Sequence, residues 1–304
     1  MKILKTSIYF LALALLITSC RKEDALGDVS NIPGLGGDTW TPTAIDQWIK
    51  DNYVTPHNID IKYKWNQFTV NQIEKNVVPP KEEKVVPVMA AVLNIWAKPY
   101  IEQIGLIPFN QMAPKYFVLA GSSAANPDGS ATVGVAGGGK QISLFQLNYF
   151  KNKSTPGYVP ADTSLQKDLF LTVHHEFSHI FDQLKRRPAD FDKITQSGYS
   201  SDWINITDDE ARQNGFITAY ASSVSTEDFA EMISFMMVYG KSGWDKLVAG
   251  IGTDFLGTFY PNEEAQSLLH AKEAAIVNYF DKSWGIDFYS LQSKVRAAVE
   301  NEFY

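Results

Sequence analysis

One cysteine, Cys20, stands in the 304 residues, so no disulfide can form within the chain and a disulfide-stapled fold is excluded. Basic residues are in deficit. The 27 Lys and Arg against 34 Asp and Glu leave a formal charge of -7, with no basic footprint for a nucleic-acid backbone. There are no internal repeats and no low-complexity tracts. Only one long uncharged apolar run occurs, from Ser7 to Ile17, and it is too short to span a bilayer comfortably. A protein with several membrane-spanning helices is thereby excluded. With 45% apolar residues, the rest of the chain is long enough to bury a substantial core in one large domain or two lobes.

The N-terminus reads as an export leader. Met1-Lys-Ile-Leu-Lys5 precedes the apolar run, and Thr18-Ser19 places small residues before Cys20, so residues 1–19 are expected to be a lipoprotein signal peptide. A buried helix would need an amphipathic stripe, whereas Ile8 to Ile17 is apolar all round. Cys20 stands where the lipobox of bacterial lipoproteins puts the cysteine that is acylated and becomes the new N-terminus, which accounts for a solitary cysteine. Removing residues 1–19 takes away Lys2 and Lys5 and moves the formal charge from -7 to -9. Arg21-Lys-Glu-Asp24 resembles the surface-export signal of Bacteroidetes lipoproteins, and reads equally as a solvated charged linker. The expected location is the outer membrane, reached through a lipid on Cys20, with the body facing the cell surface or the periplasm.

Residues 20–40 are polar and glycine-rich, as a flexible linker would be, and the folded part is expected over 41–304. Within it, Thr43 to Ile49 suggests a short helix, Asp60 to Phe68 a strand and Val85 to Ile104 a longer helix. Lys115 to Leu119 and the stretch from Gln141 to Asn148 are strand candidates joined by a glycine-rich loop. The best helix runs from Asp162 to Leu184, with Leu165, Leu169, Val173, Phe177, Ile180 and Leu184 at three- and four-residue spacing. Thr226–Tyr239, Gly243–Val248, Asn262–Trp284 and Tyr289–Glu302 make the remainder mainly helical. The chain thus divides into an N-terminal part, 41–160, and a helical part, 161–304.

Histidine is scarce, and three of the 5 fall between positions 174 and 179. On the best helix, His175-Glu176-Phe-Ser-His179 sets two imidazoles one turn apart on one face, as two ligands of a single tetrahedral zinc must be. Glu176 beside them suits a general base that takes a proton from water and delivers it to a leaving amine. His175 lies two residues from both Val173 and Phe177, so it points away from the apolar stripe and toward a cleft. Nothing at the spacing of His174 makes it a ligand.

Two histidines leave zinc short of a protein donor. Thr226-Glu-Asp-Phe-Ala-Glu231 offers carboxylates at Glu227 and Glu231, one turn apart on a helix whose other side chains are apolar. The residues alone leave open which of the two is the ligand. Asp182, three residues beyond His179, is a candidate to orient that histidine, and suits a polar helix end as well.

The run Glu-Asp-Phe-Ala-Glu resembles the second zinc-binding helix of gluzincins, which implies Glu227 as third ligand and Glu231 as the acid that supports a histidine, here His175. Tyr220, seven residues before Glu227, is similar in placement to the tyrosine of the anthrax lethal factor catalytic domain and its relatives, which implies a hydroxyl that donates to the oxyanion. Together with the lipobox, these motifs resemble the zinc-binding metallopeptidase lipoproteins of Bacteroidetes, the substrate import-associated zinc metallohydrolase lipoprotein family. That resemblance covers residues 165–240 and the lipobox only. It implies an α+β, zincin-like fold with a small mixed sheet and a mainly helical C-terminal lobe, one Zn2+ per chain, a peptide or protein substrate, and partnership with TonB-dependent outer-membrane uptake components. The competing reading is an accessory lipoprotein that captures peptide or glycan around a structural zinc.

Gly134-Val-Ala-Gly-Gly-Gly-Lys140 has the spacing of a nucleotide-binding loop, but Gln141 replaces the required Ser or Thr and a strand pattern follows where a helix is needed. Gln141 to Leu147 is instead expected to be an edge strand above the zinc, open to an extended substrate.

Overall fold

The computed structural model describes residues 41–64, 77–125, 131–132, 134–137, 140–160 and 163–304. The expected signal peptide (residues 1–19), Cys20, the expected linker to residue 40 and the expected strand residues 65–68 lie outside them. One compact unit runs from Ala44 to Tyr304. No helix among the described residues is long and apolar enough to cross a membrane.

The chain enters through α1 (Ala44–Ile49), which continues through a π turn, Lys50–Val54, into Thr55–His57. After β1 (Asp60–Lys62) come α2 (Glu82–Val92), a second π turn over Leu93–Ala97 and α3 (Lys98–Ile104), so the expected helix from Val85 to Ile104 exists with a bulge inside it. Gly105, at φ +87, breaks the run and admits α4 (Leu106–Met112). Strands β2 (Tyr116–Leu119), β3 (Ala124–Ala125), β4 (Ala131–Thr132), β5 (Gly134–Gly137) and β6 (Gln141–Leu144) follow.

The four-stranded sheet has the order β1-β2-β6-β5. Its first two pairings are parallel, with Ile61 opposite Phe117 and Phe117 opposite Ile142, and β5 returns antiparallel with Ala136 opposite Ile142. The expectation for Gln141 to Leu147 is therefore corrected: β6 is an interior strand, and the edge belongs to β5. The reason is that β6 buries Ile142, Ser143 and Leu144 between neighbours. The glycine-rich run has little intrinsic strand preference and becomes a strand only through its ladder with β6.

Helix α5 (Thr163–Leu184) is anchored by aromatic packing. Phe177 meets Trp96 at 5.2 Å between ring centres and Tyr100 at 4.9 Å, and Trp96 in turn meets Phe117 of the sheet at 5.7 Å. Edge-on contacts of this kind fix helix rotation as well as burying area. The opposite face of α5 is left for α8. Leu184, placed on the apolar stripe by spacing, is exposed at the helix end.

Beyond α6 (Phe191–Ile194) and α7 (Asp208–Gln213), α8 (Ser225–Ala249) is the longest element. It joins two segments expected as separate helices, and breaks at Gly240, whose φ of 68° and ψ of 174° are open essentially to glycine alone. The hairpin of β7 (Gly252–Phe255) and β8 (Thr258–Pro261) leads to α9 (Glu263–Tyr279), a π turn over Phe280–Trp284 and α10 (Phe288–Phe303). The break in α8 leaves carbonyls without helical partners, and α10 supplies donors. Gln292 Nε2 bonds the Met236 carbonyl at 2.7 Å and Arg296 Nη1 the Val238 carbonyl at 3.3 Å.

A Cβ on residue 240 would lie 2.6 Å from Arg296 Cγ. Gly240→Ala is accordingly expected to lower unfolding free energy by about 2 kcal/mol or more, from strain plus the displaced Arg296. Urea denaturation of the two proteins checks it, and equal midpoints would count against this account of the kink.

Candidate metal centre

His175, Glu176 and His179 ride on the face of α5 turned toward α8, and Glu227 and Glu231 lie one turn apart on α8. His175 Nδ1 meets Glu231 Oε1 at 2.7 Å, whereas His179 Nε2 meets Glu227 Oε2 at 3.2 Å, so the helices run antiparallel. The five residues singled out by spacing, His175, Glu176, His179, Glu227 and Glu231, thus lie on the facing sides of two neighbouring helices.

Three atoms define the centre. His175 Nε2 and His179 Nε2 are 3.1 Å apart, and Glu227 Oε2 lies 3.1 Å from the first and 3.2 Å from the second. All three carry lone pairs, so protons or a cation must lie among them. A tetrahedral zinc with bonds of 2.0–2.1 Å to nitrogen and oxygen has ligand edges of about 3.3 Å, which is this triangle nearly unchanged. The donor set therefore fits zinc. Glu176 Oε also falls in a group with both imidazoles whose atoms lie within 4.8 Å of one another. It follows His175 directly along α5, about 100° around the axis, and is the less suitable third donor because Glu227 already sits against both nitrogens.

The orientation of His175 is set from behind. With Nδ1 on Glu231, its Nε2 is left to face the centre. Glu231 is itself held, its Oε2 accepting from Thr218 Oγ1 at 2.8 Å, and that hydroxyl in turn accepts from the Ala221 amide at 3.0 Å. Thr218 was not singled out in the sequence, since a threonine 13 residues from its partner carries no local signature. Burial alone would lower the pKa of His175, but hydrogen bonds to Glu227 and Glu231 and the charges of Glu231 and Glu176 push it up to about 10. Burial likewise works to raise Glu227, and the two imidazoles overcome it and hold its carboxyl far below the usual range.

Tyr220 stacks on the His175 ring at 6.0 Å between centres and 28° between planes, and Trp203 packs edge-on against it at 5.0 Å. Burial, together with the negative charge of the nearby Glu227, keeps its phenol protonated well above its ordinary range. At 38% exposed, Tyr220 is the site residue most open to solvent among those named here.

Asp182 lies elsewhere. Its Oδ1 accepts from the Arg187 amide at 2.7 Å and its Oδ2 pairs with the same guanidinium, so the expected role beside His179 gives way to one at the helix end. Arg187 goes on to bond Asp192 at 2.7 Å and Ser225 Oγ at 2.7 Å, tying the end of α5 to the start of α8. An i to i+5 contact made through a turn leaves no trace in helical spacing. His174, for which spacing gave no ligand role, faces the core: its Nδ1 lies 3.3 Å from the Tyr100 hydroxyl, and burial pushes its pKa down to about 3.

Replacing Glu227 by Ala is expected to abolish stoichiometric zinc binding, whereas Glu231→Ala should weaken it by about tenfold to a hundredfold, since His175 keeps its nitrogen but loses its support. Competition against a chelator measures both. The reverse ranking would exchange the two roles.

The family model described as "Putative zinc-binding metallo-peptidase" matches residues 38–289. Among solved structures, the chain is similar to one titled as a zinc-binding metallo-peptidase of that description from Bacteroides caccae, with 30% sequence identity and a TM-score of 0.64, covering 84% of this chain and 92% of that one. No curated protein matches the chain. The match of the family model over most of the chain, and the agreement in fold, show that this protein belongs to the zinc-binding metallo-peptidase family.

Proposed function

We propose that the chain is a zinc metallopeptidase that hydrolyses peptide bonds at the cell envelope. The observation that carries this is the triangle of His175 Nε2, His179 Nε2 and Glu227 Oε2, with edges of 3.1, 3.1 and 3.2 Å, beside a carboxylate on the same helix. In this reading those three residues hold one zinc and Glu231 orients His175. When bound, the metal supplies Lewis acidity, polarising the scissile carbonyl and acidifying a water.

Glu176 takes the proton from the attacking water and returns it to the departing amine. It is buried, adjoins His175 in the chain, and its charge is felt by both His175 and Tyr220. Tyr220, whose environment keeps its proton on, donates to the oxyanion as charge moves onto the carbonyl oxygen. Its partial exposure suits a residue that meets substrate. Strand β5 packs against α5 and forms the edge of the sheet, so an extended peptide could pair with its main chain; this is the place the sequence reading gave to Gln141 to Leu147.

Acylated Cys20 would hold the body at the outer membrane, facing the surface or the periplasm, where TonB-dependent uptake components are the partners that the resemblance implies. The leader with its apolar run from Ser7 to Ile17 and small residues before Cys20 supports export.

Glu176→Gln is expected to keep one zinc per chain while peptide turnover falls by at least about a hundredfold, read by digestion of an unbiased peptide library beside the wild type. Equal digestion by both proteins would remove Glu176 from the mechanism, and wild-type protein purified without chelator that holds no metal would sink the whole reading. For the anchor, Cys20→Ser should move the protein from the detergent-extracted membrane fraction to the soluble one. Retention in the membrane would refute acylation at that residue.

A further inference from the structure

Lysine is almost never fully buried unless its ammonium is paired, and Lys272 of α9 is 0% exposed. Its Nζ lies 2.6 Å from Asp228 Oδ2, donates to the Gly215 carbonyl at 2.7 Å and sits 4.1 Å from the centre of the Phe216 ring. Asp228, also 0% exposed, accepts a second bond from the Tyr199 hydroxyl at 2.8 Å. None of these groups touches the three donor atoms. Asp228 adjoins Glu227 in the chain, and Gly215 stands three residues before Thr218 and five before Tyr220.

Asp228 follows Glu227 on α8, and neighbouring residues on a helix point about 100° apart around its axis. Holding Asp228 on the side of α9 therefore sets the roll of α8, and with it whether Glu227 and Glu231 face His175 and His179. Gly215 opens the segment that leads to Thr218 and Tyr220. It adopts φ +78, and a Cβ there would lie 2.8 Å from Leu268 Cβ, so this segment is pressed directly onto α9 one turn before Lys272. Three residues later Thr218 bonds Glu231, and Tyr220 then stacks on His175. One ammonium thus ties down both pieces of chain that complete the site from outside α5.

From these contacts we infer that Lys272, acting with Asp228, is a positioning residue for the zinc centre, fixing Glu227 through the roll of α8 and Tyr220 through the Gly215 carbonyl. A buried ion pair is commonly no more stabilising than an apolar pair of similar volume, so its worth here lies in specifying geometry. The inference rests on the metallopeptidase reading above.

The test is the double variant Asp228→Asn/Lys272→Met, which removes both charges together, compared with wild type and with Trp244→Phe, a core change that removes part of a buried ring and its bond to Glu273 at 2.9 Å and touches neither Lys272 nor Asp228. In full-length protein shown to be folded by circular dichroism, the double variant is expected to bind zinc on the order of ten- to a hundredfold more weakly. It should also alter the visible absorption spectrum of the cobalt-substituted site, and with zinc saturating it should show a lower kcat with KM changed less. Trp244→Phe should lower Tm and leave zinc affinity and the cobalt spectrum as they are. Should the double variant fail to fold, Tyr199→Phe takes its place, since it removes one donor to Asp228 without stranding a charge; a several-fold loss of zinc affinity is then expected. If the wild type binds zinc and cleaves peptides while the folded variant matches it in affinity, spectrum and kcat, the positioning role is overturned and the metallopeptidase reading stands. A wild type that neither binds zinc nor cleaves overturns both.

Discussion

Three lone-pair atoms held within 3.2 Å of one another repel unless positive charge lies among them, and the rest of the fold is arranged around that demand. Two sit on α5, whose rotation is fixed by aromatic contacts between Phe177, Trp96 and Tyr100. The third sits on α8 and must be brought to them from 48 residues away. Helix packing alone tolerates rolls and slides of the order of an ångström, too coarse for a ligand edge. The finer control comes from polar groups placed behind the donors: Glu231 and Thr218 behind His175, Arg187 bridging Asp182 to Ser225, and Lys272 on Asp228.

Polarity is concentrated where it serves this end. His174 shares a helix turn with the site residues yet is turned into the core and kept neutral, so the doubled histidine in the sequence is one imidazole for the cleft and one for the interior. The same economy is seen in α8, where Phe229, Met232 and Ile233 fill the core while Glu227 and Glu231 look outward at α5. The helix is amphipathic twice over, with an apolar side, a donor side, and Asp228 between them.

What could be read in the sequence was what is local. The period of Leu169, Val173, Phe177 and Ile180 and the four-residue steps from His175 to His179 and from Glu227 to Glu231 are set by the helix repeat, and the structure keeps them. What could not be read depends on the partner. Gly134–Gly137 resembles a loop because glycine has no strand preference, and only β6 makes it a strand. Helical spacing leaves Asp182 open between supporting His179 and closing a polar helix end, and only the turn that brings Arg187 to it decides for the second. Thr218 and Lys272 lie 13 and 57 residues from groups they hold, and neither distance carries a periodic signal. The β7–β8 hairpin also went unforeseen: its tip sets Leu256 at φ +51 and 91% exposed, a residue that turn chemistry would not suggest.

The break at Gly240 has a bearing on how the site comes into being. Its freed carbonyls find their donors on Gln292 and Arg296, 56 and 58 residues downstream of the groups they satisfy. The contacts that bring α5 and α8 together at the site span 48 to 56 residues, and closing such loops costs entropy before any of them returns energy. A partly folded chain would thus present His175 and His179 as an ordinary helical pair with weak hold on a metal. With zinc held as proposed above, high affinity would arrive only with the complete tertiary structure, so capture of the ion and the final folding step would become one cooperative event, and a metal supplied late would act as a lock on the native state.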